Sequence, residues 1–257
     1  GIKGRWPWRH SPERVVKELK WAKEKYGIKH IRFNDEDFSY SKKWILEFCE
    51  IYKNELGIPY FAWVYPNTID EEVVKALAES GCDSVEIGVQ SGVERIRSHI
   101  ANRKTPNEKI INALQLFRKY KIRATADIII GFPTETKGDL DTTARLIIES
   151  QPWHIYVFYL RYYPSTNLYK EAKMKNFLSK KEADLLESGS LSRGFISGGT
   201  SKGKNKYIDK YHGFILLIPI LPKALAKFMV NKNLVRFLPV VNPFLLVNIT
   251  KTIKRNK

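Results

Sequence analysis

Between residues 84 and 92 the chain reads Ser-Val-Glu-Ile-Gly-Val-Gln-Ser-Gly, and the carboxylate of Glu86 and the carboxamide of Gln90 fall at alternate positions within it. In an extended strand such positions share one face. Val85, Ile87 and Val89 then form the opposite, apolar face. A carboxylate on a strand buried between helices costs several kcal/mol unless a polar group meets it. Asp127 stands in the same situation inside Ala-Thr-Ala-Asp-Ile-Ile-Ile-Gly, sharing a face with Thr125, Ile129 and Gly131. Asp35, Glu36 and Asp37 follow another apolar run, where acids also serve simply to cap a helix. Ser91 closes the 84–90 run, and Arg103 offers a fixed cation after it. The ligand these residues suit carries hydroxyls or an ammonium for the acids and an anionic end for Arg103.

The elements that must position these groups alternate. Ser11-Pro12-Glu13 starts a helix that Gly27 ends, with Val15, Val16, Leu19, Ala22 and Tyr26 at helical spacing. Strands are predicted at 28–33, 58–64, 84–90, 124–131 and 155–161, and helices at 41–55, 70–80, 106–121 and 138–150. Thr105-Pro106-Asn107-Glu108 fits a capping box. Each β-α unit takes roughly thirty residues, which implies a parallel sheet, open or curled into a barrel, with function at the carboxyl ends of its strands. Asp35–Asp37, Gln90 and Ser91 follow strands there, as do the tyrosines and Arg161 of 159–163, candidates for a substrate pocket.

The formal charge of +17 favours an anionic partner: nucleic acid, an anionic membrane surface, or a phosphorylated or carboxylated substrate; plain solubility is the alternative. The two cysteines, Cys49 and Cys82, are too few for a Cys-rich metal motif and suit a reducing cytoplasm. Histidines 10, 30, 99, 154 and 212 share no ligand spacing, so surface or packing roles are expected and no metal site is assigned. The basic, aromatic arm Arg5-Trp6-Pro7-Trp8-Arg9-His10 could stack on bases or pack on a barrel rim.

The sequence resembles the radical S-adenosylmethionine (SAM) superfamily, in the cobalamin-binding-type branch that includes anaerobic cyclases of magnesium-porphyrin esters. The resemblance rests on Trp8–Glu13, Phe33–Phe38, Gly88–Gly92 with Glu94–Arg97, Asn102-Arg103, and Asp127–Pro133 with Glu135-Thr136, an ordered series across roughly residues 5–165. It implies an α/β fold, a partial (β/α)6 barrel whose first strand is missing, over residues 1–190, and a linker with a mainly helical, basic extension over 191–257. It places Asp35, Glu36 and Asp37 at the methionyl amino group, Gln90, Asp127 and Glu86 at the ribose or methionine moiety, Arg103 at the methionyl carboxylate, and Ser91 among the cofactor-binding residues. No residue is assigned a catalytic role.

By the same resemblance the parent enzyme uses SAM, a 4Fe–4S cluster and, in a further upstream domain, cobalamin. It cleaves SAM reductively to a 5′-deoxyadenosyl radical and acts on a small-molecule substrate, with an electron donor such as flavodoxin or ferredoxin. The CxxxCxxC cluster loop is absent, and the chain opens Gly-Ile-Lys without Met, so a fragment is expected that is inactive alone, its cluster ligands lying upstream. A barrel aldolase or lyase is the weaker enzymatic alternative, because no strand end carries a Lys suited to Schiff-base chemistry.

The last quarter changes character. Residues 190–206 are rich in Ser, Gly and Lys and read as a linker. The apolar runs 213–221 and 234–249 are interrupted by prolines and flanked by Lys and Arg. A helical cap on the barrel is the favoured reading, and contact with an anionic membrane surface, making the protein peripheral, is the alternative. A non-catalytic basic scaffold binding membrane or nucleic acid is the second functional hypothesis, with nucleic acid the less favoured partner.

Overall fold

The computed structural model describes residues 9–99, 102–189 and 206–255. The Trp6-Pro7-Trp8 arm and nearly all of the Ser/Gly/Lys-rich linker lie outside the described residues. Five strands form one parallel sheet in the order β1-β2-β3-β4-β5, and the fold is of the α/β class. The chain divides into two compact units. Gly1–Glu86 with Leu116–Arg123 make the first, and Ile87–Gln115 with Ala124–Lys257 the second.

In the first unit, α1 (Pro12–Tyr26) begins where the Ser11 hydroxyl accepts from the Arg14 N–H, and ends at Gly27 with φ of 63°. β1 (Ile31–Phe33) is shorter than the sequence predicts. Lys29 and His30 are exposed, and the ladder begins only where the Ile31 N–H donates to the Pro59 carbonyl at 3.1 Å. α2 (Lys42–Glu55), β2 (Tyr60–Val64) and α3 (Glu71–Glu79) follow, capped by Ser41 before α2 and Asp70 before α3. β1 and β2 pair in parallel, Phe33 opposite Ala62. Their core is aromatic: Phe33 stacks on Phe38 at 4.5 Å, Trp44 on Phe48 at 5.2 Å, and Tyr52 meets Tyr60 edge-on at 5.0 Å. Such ring pairs add specific geometry to their area burial.

β3 (Cys82–Gln90) alternates as predicted: Val85, Ile87 and Val89 are fully buried, while Glu86, Gly88 and Gln90 are partly exposed.

In the second unit, α4 (Glu94–His99) and α5 (Asn107–Lys119, which continues into the first unit) precede β4 (Arg123–Ile130). α6 (Lys137–Ser150) starts at a capping box in which Thr136 and Asp139 satisfy each other's amides. β5 (His154–Tyr159) pairs in parallel with β4, setting Asp127 beside Tyr156 and Ile129 beside Phe158. α7 (Asn167–Met174) and α8 (Lys180–Glu187) close a core of Ile96, Phe132, Leu160, Tyr162 and Tyr169.

The extension is helical. α9 (Lys206–Leu217) packs on β5: its His212 stacks on Tyr159 at 4.6 Å and donates to the Val157 carbonyl at 2.9 Å, and Tyr159 donates to Asp209 at 2.7 Å. The prolines Pro219, Pro222 and Pro243 mark the breaks into α10 (Lys223–Asn231) and α11 (Pro243–Arg255). Among the described residues no helix is long and apolar enough to cross a membrane.

Candidate functional site

The site residues named from the sequence fall in two groups, one in each unit. In the first unit, Asp35 and Glu36 are exposed at the end of β1, and Asp35 lies 3.8 Å from the Arg9 guanidinium. Asp37 turns inward, and its Oδ1 accepts from the N–H and hydroxyl of Ser39 at 3.0 and 2.8 Å. Burial pushes its carboxyl up, and the Ser39 bonds pull against that. Arg9 donates to the carbonyls of Asp37 and Phe38 at 2.9 and 3.2 Å and lies over the Trp44 ring. The turn is thereby fixed by its backbone as well as by Asp37. The polar group facing Glu86 is Arg32, 3.9 Å away, whose guanidinium lies over the Phe61 ring at 3.8 Å.

In the second unit, Gln90 and Asp127 share a cavity of about 250 Å³ with Ile129, Phe158, Arg161 and Tyr163. Asp127 reaches it because alternation along β4 sends Ala126 and Ile128 into the core and Asp127 and Ile129 to the other face. Gln90 ends β3 with φ of 66°, in the left-handed region that side-chain-bearing residues seldom occupy. Its carboxamide folds back over Gly88: a Cβ at that glycine would meet Gln90 Nε2 at 2.7 Å and Arg103 Nη1 at 3.3 Å. The missing side chain thus makes the cradle in which an amide and a guanidinium lie together. The lining thus combines the Asp127 carboxylate, the Gln90 amide and the Arg161 cation with the aromatic rings of Phe158 and Tyr163. Such a lining suits a polar, partly aromatic ligand.

Ser91 is fully buried, and its hydroxyl is spent on the Val93 N–H at 3.2 Å. The sequence assigned no role to the residues that hold this segment, although Arg97 and Glu135 stand in the motifs of the family resemblance. Arg97, 1% exposed, donates to the Ser91 carbonyl at 2.5 Å and twice to the Thr105 carbonyl, at 3.1 and 2.6 Å. Thr143 accepts from the Gly92 N–H at 3.0 Å. Glu135 Oε2 accepts from the N–H groups of Gly131 at 2.5 Å and Phe132 at 3.3 Å, tying the turn after β4, while its Oε1 is buried without a hydrogen-bond partner. Burial pushes that carboxyl up to about 7 against those two bonds. The signal for both was their place in the resembling motifs, Glu135 after Asp127–Pro133 and Arg97 at the end of Glu94–Arg97.

The residues present fit SAM and do not fit an iron–sulfur cluster. The Gly88 cradle holds amide and cation donors for a carboxylate, and Asp127 supplies an acceptor for hydroxyls. Cluster iron needs thiolates. Cys49 and Cys82 are both buried, burial pushes both thiols up, and among the described residues no group of His, Cys, Asp and Glu could hold a metal ion.

A parallel α/β sheet with acids and amides at its strand ends is the frame of a cofactor-binding barrel enzyme. The profile of the Radical SAM superfamily matches residues 2–147, and the chain belongs to that superfamily of enzymes, which use SAM and a 4Fe–4S cluster. Among curated relatives, an uncharacterised methyltransferase of Pyrococcus horikoshii is 32% identical over 81% of this chain and 50% of its own length. The anaerobic magnesium-protoporphyrin IX monomethyl ester cyclase of Cereibacter sphaeroides is 25% identical over 78% of this chain and 34% of its own. The chain thus spans about half the length of the first relative and a third of the second. Among solved structures, the radical SAM methyltransferase TsrM of Kitasatospora setae, with cobalamin and a 4Fe–4S cluster bound, superposes with a TM-score of 0.58 at 18% identity, over 65% of this chain and 34% of that one. Coproporphyrinogen III oxidase of Escherichia coli, a radical SAM enzyme, superposes at 0.52 and 17% identity, over 71% and 45%. These likenesses are of fold.

Proposed function

We propose that this chain is the SAM-binding part of a radical SAM enzyme that transfers a methyl group to, or abstracts hydrogen from, a small-molecule substrate. The observation that carries the reading is the Gly88 cradle, where the Gln90 carboxamide and the Arg103 guanidinium are held together beside the cavity that Gln90 shares with Asp127. In this reading Arg103 binds the methionyl carboxylate, and Asp127 and Gln90 accept from and donate to the ribose or the methionyl group. The cavity, at about 250 Å³, is smaller than the ~300–1,000 Å³ of a whole ligand pocket and accommodates one moiety of SAM. Asp35, Glu36, Asp37 and Glu86 lie in the first unit, where Arg9 meets Asp35, Ser39 meets Asp37 and Arg32 meets Glu86.

When bound, SAM supplies an electrophilic sulfonium carrying both a transferable methyl group and an adenosyl group. The protein's share is to orient it. Phe158 and Tyr163 offer aromatic surface to the ligand, and Arg161 lines the same space, where it would meet an anionic group of the substrate or of SAM. Reductive cleavage needs an electron delivered through a cluster, which these thiols do not hold, so the chain by itself binds SAM without cleaving it. Methyl transfer is supported by the P. horikoshii relative and by TsrM. Cobalamin in the parent enzyme is supported by TsrM and by the cobalamin-dependent radical enzyme OxsB, and an external electron donor by membership of the superfamily.

Isothermal titration of the chain with SAM tests the reading. Arg103→Ala and Asp127→Ala should each weaken SAM at least about tenfold, the loss of one charge-assisted hydrogen bond, with the thermal melt unchanged. Wild-type SAM affinity in both variants, or no binding by the wild type at millimolar SAM, overturns it.

A further inference from the structure

The outward side of the carboxyl-terminal elements is apolar where a helix of a water-soluble fold would be polar. On α10 the buried positions are Ala226 and Val230, and on α11 they are Leu246, Val247 and Thr250. These suffice to seat both helices. Yet Leu225 and Phe228 on α10, Phe237 and Val240 in the connection, and Leu245 and Ile249 on α11 are also large and apolar, and they are 39–69% exposed. Leu225 and Phe228 are spaced i, i+3 and Leu245 and Ile249 i, i+4, so each pair forms a stripe on its helix. Large apolar side chains left exposed on each of three successive elements exceed the scattered single exposures normal for a soluble surface and mark an interaction surface.

Charge identifies what it meets. From residue 206 to the end the chain carries ten Lys or Arg and a single acid, Asp209, whose carboxylate accepts from the Tyr159 hydroxyl. Lys223 and Lys227 are paired with Glu149 on α6. Lys232 is exposed, and the exposed Arg236 holds its guanidinium over the Phe237 ring at 4.5 Å. Lys251 and Lys254 of α11 are half-buried toward β5, Lys251 over the Tyr156 ring at 5.1 Å, and do not count toward this surface. A second copy of this face would set these cations against their like. Nucleic acid takes up cations and can stack on Phe, but it gives no burial to the exposed Leu225, Val240, Leu245 and Ile249. An anionic lipid surface takes both, apolar side chains at the acyl boundary and cations among the head groups.

We infer that α10, α11 and the connection between them dock this protein onto a membrane surface rich in anionic phospholipid, lying on the bilayer without spanning it. The short, proline-separated helices fit that mode, and none reaches spanning length. The inference is independent of the SAM reading, because none of these residues lines the Gln90–Asp127 cavity.

Co-sedimentation of the full chain with vesicles tests it. Vesicles of phosphatidylcholine mixed with phosphatidylserine should pull the protein down, and phosphatidylcholine alone should not. Phe228→Ser, Leu245→Ser and Ile249→Ser combined should abolish sedimentation while leaving the thermal melt and SAM titration unchanged, since all three side chains are solvent-facing. Lys232→Gln and Arg236→Gln should each lower partitioning roughly fivefold, the share of one cation near an anionic surface. Failure of the wild type to sediment, equal sedimentation with phosphatidylcholine alone, or wild-type behaviour of the triple serine variant overturns the inference. So does a concentration-dependent dimer that the serine variant loses without any lipid binding. Displacement by duplex nucleic acid that the serine substitutions leave unchanged overturns it as well.

Discussion

The main-chain N–H of Arg103 donates to the carbonyl of Arg97 at 2.7 Å, so the exposed guanidinium beside Gly88 is hung from the buried one. Arg97 in turn grips Ser91 and Thr105, the residues on either side of the loop that carries Arg103. The charge nearest to it is Glu94, 3.8 Å away and itself 59% exposed. Burial of Arg97 is therefore offset by carbonyl oxygens more than by a counter-ion.

That arrangement sets the first prediction. Arg97→Met fills the space but leaves the Ser91 and Thr105 carbonyls without their donor, a cost of about 2–4 kcal/mol in unfolding free energy. Lys cannot reach both carbonyls from one point charge, so Arg97→Lys should recover little. Urea denaturation reads the loss, and SAM titration below the transition should show weaker binding because Arg103 loses its anchor. A midpoint within experimental error of the wild type would remove Arg97 from this role.

The two glycines that flank Gln90 separate site from fold. At Gly92 an added Cβ would lie 2.4 Å from Thr143 Cα and 2.9 Å from the Thr142 carbonyl, both backbone atoms of α6. Gly92→Ala must push the helix away and should cost about 1–3 kcal/mol or more. At Gly88 the same methyl meets only the ends of Gln90 and Arg103, which can swing aside. Gly88→Ala should leave the urea midpoint nearly unchanged and weaken SAM about tenfold or more by emptying the cradle. Equal effects of the two substitutions on stability would contradict the packing described.

What the sequence disclosed and what it hid follow from the range of the interactions. The period of two over 84–90 and 123–130 placed Glu86, Gln90 and Asp127 on the partly exposed face of their strands, because alternation is a local property of the backbone. The caps Ser11 and Gly27 were legible for the same reason. Arg97 stood in the Glu94–Arg97 motif, but its role was hidden. Its partners lie six and eight residues away and accept through backbone carbonyls, which carry no residue-type signature. The first turn of α5 shows a like case: the Asn107 N–H donates to Glu94 at 2.8 Å, a partner thirteen positions back. Ser91 looked like a ligand-facing hydroxyl by position, and only the fold shows it turned into the loop.

Glu135 should make stability fall as pH rises. Its carboxyl is raised from 4.5 to about 7 in the folded protein, chiefly by burial, so the folded state holds its proton more tightly than the unfolded chain. That contribution is fully present below about pH 4.5 and is lost progressively by pH 7, about 3 kcal/mol over the window. Glu135→Gln keeps an acceptor for the Gly131 N–H and cannot ionise. Its urea midpoint should therefore gain on the wild type steadily from pH 4.5 to 7. Parallel pH profiles for the two proteins would show that Glu135 titrates normally.

His154 opposes it on the acid side. The ring is 2% exposed at the start of β5, both nitrogens are buried without hydrogen-bond partners, and Lys251 and Lys254 of α11 add their repulsion. Burial is the larger cause, and together they hold the imidazole at about 4. A folded pKa below the unfolded one stabilises the protein fully above about pH 6.5, and that stability is lost as pH falls toward 4. The full loss is about 3 kcal/mol, similar in size and opposite in sign to the Glu135 effect. The wild type should consequently show a nearly flat stability between pH 4.5 and 6.5. His154→Leu removes the acid limb and leaves the Glu135 slope exposed, so that variant should gain stability steadily as pH is lowered through the window. Glu135→Gln should do the reverse, losing stability on acidification. Urea midpoints taken at several pH values on the three proteins decide the matter, and a wild-type slope that neither substitution changes would show that the two buried groups do not set the acid response.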